Sequence, residues 1–260
     1  MTVLAVGSQD SRVVGRERQL LRRARYVGVP AAVAAACLAM YIYIQTQDLD
    51  SIESRIINAR NIRTAAFEQV EIALWATALT LVVAVPLGMA LTRPWARRIS
   101  PIIIAAANIG QGVPAIGLLF FIYIVLIRNG SSATIFGMAI YAVLPVLRGT
   151  MVGLQQVDRG VIKAARGMGM SKRSVLLRVE MPLAVPILLT GVRTALVLTV
   201  ATAVLAAFIG GGTFGLLIVS GQAQGRPLAV AVGSLGAASL AILADWVGGI
   251  AEDLLRPKGL

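Results

Sequence analysis

An all-α, polytopic membrane protein with about six transmembrane helices is the fold class this sequence predicts. Three observations predict it. The 260 residues are 57% hydrophobic and only 14% charged, against about 25% charged in soluble domains, so polar groups cannot cover a surface facing water. Charge-free runs recur at close to the roughly 20 residues that a helix needs to cross a bilayer. The basic residues also crowd into alternate connecting segments, as they do when a chain weaves back and forth through a membrane.

The runs are 26–47, 72–92, 99–127, 129–147, 194–225 and 227–244, with 182–192 joining the fifth if Arg193 lies inside a helix. Before the first, a tail with six arginines between Arg12 and Arg25 either lies on anionic headgroups, each Arg worth roughly 1 kcal/mol there, or is a disordered basic arm. The stretch 27–44 is long for the apolar part of a signal peptide, and no small-residue cleavage site follows before Gln45. Cys37 falls mid-run behind Ala35 and Ala36, without the large apolar residue of a lipoprotein signal. Gln111 and Pro114 interrupt the third run. Broken helices tend to line cavities, which makes these two candidates for a translocation path, and Tyr123 and Tyr141 join them as aromatic faces that a cation would favour. The fifth run is too long for one span, and its glycine-rich tail, 210–226, reads as an external loop.

Arginine placement sets an expected orientation. Eighteen of the 24 basic residues lie in the N-terminal tail, after the second run, between Arg148 and Met181, or at the C-terminus. The opposite connections hold Arg55, Arg60, Arg63, Arg128 and Arg226. Positive-inside bias then places both termini in the cytoplasm. The formal charge of +12 is explained by topology and requires no nucleic-acid partner.

Much chemistry is excluded. Histidine is absent and Cys37 is the single cysteine, which removes the usual general base, thiolate clusters and an internal disulfide. Gly210, Gly212 and Gly215 match the dinucleotide fingerprint in spacing, but a membrane helix precedes them and the nearest downstream acid is Asp245, so a turn is the better reading. The segment 167–172 lacks Walker A spacing. No internal repeat supports an inverted-repeat secondary transporter.

The long loop 148–181 is more informative. Asp158 is placed to cap a short helix through Arg166, Gly167 and Gly169 to supply a left-handed exit, and Ser171 to cap a second short helix running to Glu180. Ala164 and Ala165 leave one face nearly bare, while Val161, Ile162, Val175, Leu176 and Leu177 offer apolar surface. Local physics allows a docking element or an amphipathic linker lying on the bilayer.

The loop resembles the EAA motif of bacterial ABC-importer permeases: E-A-A, three residues, G, nine residues, I-x-L-P. Here it reads Lys163-Ala164-Ala165, Gly169, Val179 and Met181-Pro182. Lys163 stands where the family commonly has Glu, so an ion pair through that Glu is not carried over. Further stretches (110–115, 157–158, 164–170, 179–186, 191–194 and 207–215) are similar to the permeases of osmoprotectant importers, which carry glycine betaine, choline, carnitine or proline betaine. The likeness covers about residues 65–255.

The resemblance implies a five-helix type I permease core plus one N-terminal helix. The expected organisation is a basic tail at 1–26, an extra helix and external linker at 27–64, and a permease domain at 65–260. It implies that Asp158, Ile162, Lys163, Ala164, Ala165, Gly167, Gly169, Met170 and Pro182 form the contact with ATP-binding cassette ATPase subunits. ATP and Mg would be bound on those partners, leaving no cofactor and no catalysis in this chain. A second permease subunit, identical or related, and a separate extracytoplasmic substrate-binding protein complete the expected assembly in the lipids of a bacterial inner membrane. Alternatives are a permease for methionine, a sulfonate or another small solute, and an ATPase-independent transporter or channel.

Ionisable groups within the membrane are costly and therefore informative. Arg193 lies eleven residues past Pro182, about 16 Å along a helix, and Asp245 seven residues before Glu252, about 10 Å. The two are expected to pair, or Arg193 to cap carbonyls of the 148–181 loop. A stabilising role is the favoured expectation for such a pair.

Overall fold

The computed structural model describes residues 6–96 and 98–255. Among them all regular structure is helical, and the chain divides into two units, residues 1–47 and 48–260.

The first unit is one helix, α1 (Val6–Gln45). Its apolar part, Tyr26–Gln45, has 20 residues, about 30 Å of helix and enough for a hydrocarbon core. The backbone is helical from Val6, through the arginine-rich segment.

In the second unit, four unbroken helical stretches are long and apolar enough to cross a membrane: 59–91, 130–155, 172–209 and 227–255. Asp50 opens it by accepting from the backbone N–H groups of Ile52 (2.9 Å) and Glu53 (2.7 Å), which starts the single turn α2 (Glu53–Ile56). The Glu53 N–H, opposed by desolvation and helped by the Ile52 N–H and the Arg226 guanidinium, holds the Asp50 carboxyl below the ordinary range. Asn58 caps α3 (Ala59–Leu91) through the Asn61 N–H. The buried stripe of α3 is mostly small, including Ala73, Ala76, Thr80, Ala84 and Gly88. Small residues let helix backbones approach closely where lipid supplies no hydrophobic drive between them.

The third apolar run is not a straight span. It forms α4 (Ser100–Gly112) and α5 (Ala115–Phe121), bent by 97°. Pro114 cannot continue the ladder and forces Val113 into an extended conformation (φ −70°, ψ 133°). A wide turn, Ile122–Leu126, follows.

The centre is α6 (Gly130–Gln155), capped by Asn129. It packs on α3 and on α9 (Met181–Thr202). A Cβ on Gly191 would sit 2.6 Å from the Pro145 carbonyl oxygen, and one on Gly153 2.8 Å from that of Ala184, so the α6–α9 crossing depends on glycine.

Between α6 and α9 lie α7 (Arg159–Gly167) and a single turn, α8 (Lys172–Val175). The second loop helix expected to end at Glu180 is not separate. A wide helical turn, Leu176–Glu180, carries α8 directly into α9. That widened turn lies just before Pro182, whose missing N–H leaves one ladder bond unmade.

A second correction concerns 210–226. Residues 210–213 and 224–226 are irregular, and Phe214–Ala223 between them forms helix α10. Thr213 caps it, and Phe214, Leu217 and Gly221 are buried as it packs against α11 (Pro227–Leu255). Ten apolar residues are too few to span but enough for a helix with a partner.

Candidate functional site

The loop around α7 is built by its caps. The Asp158 carboxylate accepts from the Gly160 N–H at 2.6 Å. At the other end the Met170 N–H reaches the Ala165 carbonyl (3.2 Å) and the Gly169 N–H that of Arg166 (3.0 Å). With Gly169 at φ +84°, these two bonds make a Schellman ending. Gly169 alone takes the left-handed position, and Gly167 stays helical. Ser171 then caps the next turn through the Ser174 N–H at 3.3 Å. Ala165 is buried against the protein, Ile162 and Met170 are half-buried, and Lys163, Ala164, Met168 and Pro182 are exposed. A short rigid helix results, presenting alanine and basic side chains outward.

One anchor beneath it went unread in the sequence. Glu180, 5% exposed, pairs with Arg93 beyond the end of α3, Nη2 to Oε2 at 2.7 Å. Glu180 is the sole acid between Arg159 and Met181, which was the available signal. Its partner 87 positions away left no local trace. The pair borders a cleft of about 860 Å³ that also meets Leu154, Arg159, Ile162 and Arg166.

Of the path candidates, three meet at the bend. The Gln111 amide donates to the Tyr141 carbonyl (2.8 Å), and the Tyr141 hydroxyl donates to the Val113 carbonyl (3.2 Å), next to exposed Pro114. Tyr123 is elsewhere, packed on the apolar cluster that contains Leu119, Ile122 and Met138.

Arg193 and Asp245 are brought together within α9 and α11. Nε–Oδ1 is 2.7 Å and Nη2–Oδ2 2.5 Å, a bidentate pair. Glu252, two turns on, approaches Arg193 Nη1 at 3.6 Å and accepts from the Thr190 hydroxyl at 3.2 Å. Gly248 makes room for the arginine stem, since a Cβ there would lie 2.8 Å from Arg193 Cγ. Glu252, Thr190 and Gly248 extend the cluster beyond the two residues singled out from sequence.

At the far end of α3, Gln69 is fully buried. Its amide donates to the Val200 carbonyl (3.1 Å) and accepts from the Phe214 N–H (3.2 Å). Glu68 accepts from the Gly212 N–H at 2.8 Å. Together they hold the last turns of α9 against the start of α10.

Residues 84–257 match the family model described as binding-protein-dependent transport system inner membrane component. The glycine betaine/carnitine/choline transport system permease protein OpuCB of Bacillus subtilis (strain 168) is 37% identical over 193 residues, 74% of this chain and 88% of that protein. The choline transport system permease protein OpuBB of the same organism is 36% identical, over 75% of this chain and 88% of its own length. Among solved structures, a chain of the inward-facing MetNI methionine ABC transporter superposes with a TM-score of 0.67 at 20% identity, over 76% of this chain and 98% of its own. The helical order, the capped loop helix and these likenesses agree: the chain belongs to the family of binding-protein-dependent transport system inner membrane components, the membrane-spanning permease subunits.

Proposed function

We propose that this chain is the permease subunit of an ATP-driven importer of osmoprotectants of the quaternary-amine class, and that α7 is the element through which ATPase subunits act on it. The relatives named for glycine betaine, carnitine and choline support the cargo. The observation that carries the coupling role is the construction of α7: capped at both ends, bare at Ala164, and rooted beside the pair of Arg93 with the buried Glu180. A helix so braced passes on a push as a rigid body and does not absorb it.

In this reading the α7 side is cytoplasmic, with both termini there, because the basic residues concentrate on it. Asp158, Ile162, Lys163, Ala164, Ala165, Gly167, Gly169, Met170 and Pro182 form or shape the docking surface. A second permease subunit completes the path, an external binding protein delivers solute, and ATP is hydrolysed on the ATPase partner. Residues 65–260 are the permease domain, preceded by the extra helix.

The test is ATP-dependent uptake of choline and glycine betaine by the reconstituted complex, compared with Ala164→Glu. Loss of uptake together with loss of the co-purified ATPase supports the coupling role. Uptake that persists in Ala164→Glu without an ATPase returns the chain to the ATPase-independent class, and uptake of methionine alone replaces the cargo.

A further inference from the structure

The cleft of about 860 Å³ beside α7 has a lopsided charge. Its lining carries three guanidiniums, those of Arg93, Arg159 and Arg166, against the single carboxylate of Glu180. Glu180 is already neutralised, because both of its oxygens accept from Arg93, at 3.4 and 2.7 Å. The other contacts of Arg93 go to the Thr92 hydroxyl and the Met89 carbonyl. Arg159 and Arg166 are left over. Neither has an ion pair or a side-chain hydrogen bond among the described residues.

These two charges share one face. Arg159, Ile162 and Arg166 are spaced by three and four residues, a single stripe of α7, and all three line the cleft. Ala164 falls on the other side of the helix, at about 3.6 residues per turn, so the cleft and the proposed ATPase contact use different faces. Like charges along one stripe do not stabilise a helix, and α7 gains nothing from this arrangement by itself. Ser100 and Pro101 line the same cleft where α4 begins, and Ile99 before them supplies no side-chain cap. The free N–H groups of that first turn add partial positive charge.

From these observations we infer that the cleft is a binding site for a phosphate-bearing anion, held by Arg159 and Arg166 of α7 beside the start of α4. The inference does not depend on which solute the chain carries or on what docks at Ala164. The chemistry selects the ligand class. A lone carboxylate fills one guanidinium fork, whereas a phosphate has enough oxygens and charge to serve two forks at once. The volume lies within the roughly 300–1,000 Å³ of small-ligand sites, far more than the phosphate alone needs. The remainder accommodates the group that a phosphate ester carries, against the apolar side chains of Leu154, Val157 and Ile162. An anion seated there links α7 to α4 through its own oxygens and braces the root of the loop. An anionic phospholipid headgroup and a free phosphate compound both offer this chemistry.

The test uses the full chain purified in detergent without an ATPase, in a zwitterionic buffer at fixed ionic strength. Thermal unfolding is followed during titration with inorganic phosphate in one arm and with phosphatidylglycerol in mixed micelles in the other. Phosphatidylcholine micelles serve as the zwitterionic control. A saturable rise in Tm is expected with at least one of the two anions and not with phosphatidylcholine. A response to lipid alone identifies the headgroup as the source, and a response to phosphate identifies a free anion. Arg159→Gln with Arg166→Gln is expected to weaken the apparent affinity on the order of tenfold. Lys172→Gln with Arg173→Gln, an exposed basic pair of the same loop outside the cleft lining, is expected to change it by about twofold or less. Without anion, the Arg159→Gln, Arg166→Gln chain is expected to unfold at the same temperature or slightly higher, since a repulsion is removed. No saturable response to either anion, or equal losses in the two double variants, overturns the inference. So does a lower anion-free Tm in the Arg159→Gln, Arg166→Gln chain, which would make the arginines part of the fold. A variant that keeps both anion responses and loses its co-purified ATPase makes the cleft a protein contact and overturns it as well.

Discussion

The guanidinium of Arg93 and the carboxylate of Glu180 lie 2.7 Å apart and join the end of α3 to the base of α9, where the loop carrying α7 re-enters the helix bundle. Glu180 is nearly sealed from solvent, whereas Arg93 keeps 29% of its side chain exposed.

Breaking this pair from one side strands a charge. Arg93→Ala leaves Glu180 buried and unpaired by Arg93, and is expected to destabilise the protein by about 2–4 kcal/mol, somewhat less than a fully buried pair because Arg93 is partly solvated. The double substitution Arg93→Met with Glu180→Leu is expected to recover much of that. Thermal unfolding in detergent measures both. A single and a double variant of equal stability would contradict the assignment.

Gly169 is required for its backbone. Nothing lies within 4 Å of where its Cβ would be, yet its φ is +84°, so the cost of Gly169→Ala is conformational, about 1 kcal/mol. Asn, which tolerates the left-handed region, is expected to be milder. Gly167→Ala, also in open space but helical, is expected to be neutral or slightly favourable. The yield of ATPase that co-purifies with each variant tests this order, and a Gly167→Ala worse than Gly169→Ala would break it.

Gln69→Leu keeps the volume and removes both hydrogen bonds, leaving the Val200 carbonyl and the Phe214 N–H without their side-chain partner in a dry site. Each buried group so left costs about 1–3 kcal/mol. A drop of roughly 2–4 kcal/mol in unfolding free energy is expected, with faster hydrogen exchange at the start of α10. Unchanged exchange at Phe214 would show that Gln69 does not hold it.

Asp50 gives a pH prediction. Its folded pKa is depressed, chiefly by the Glu53 N–H, with the Arg226 guanidinium contributing, so its stabilising contribution is present above the unfolded value and is lost as pH falls through the lowered folded one. The contact between α2 and α11 is therefore expected to loosen only below about pH 4. Asp50→Asn should remove that dependence, measured by proteolysis near residues 46–58 across pH 3–7.

Counting charge-free runs located the long helices, because in lipid a helix must satisfy its own backbone and needs a fixed apolar length. Asp158, Ser171 and Gly169 were legible for a related reason: a cap is local chemistry, completed within a few residues. The bend at Pro114 was readable as a break, but its 97° angle depends on how α4, α5 and α6 pack. The helix Phe214–Ala223 was hidden by its length, since a rule built on spanning discards ten apolar residues. The Arg93–Glu180 and Gln69–Phe214 contacts join positions far apart in the chain, and no spacing rule reaches across the helices between them.

Gln69 grips one end of the bundle and Arg93, just past the last turn of α3, grips the other, 24 residues and about 36 Å apart. Between them α3 lies along α6 and α9 on small side chains. It acts as a tie rod: the Gly212–Phe214 turn and the base of α9 are kept at a set separation. A displacement entering at Glu180 therefore cannot be lost by stretching in between. Under the coupling proposed for α7, it would reach the glycine turn as a tilt of the whole rod, which would give two distant parts of the chain a shared mechanical phase.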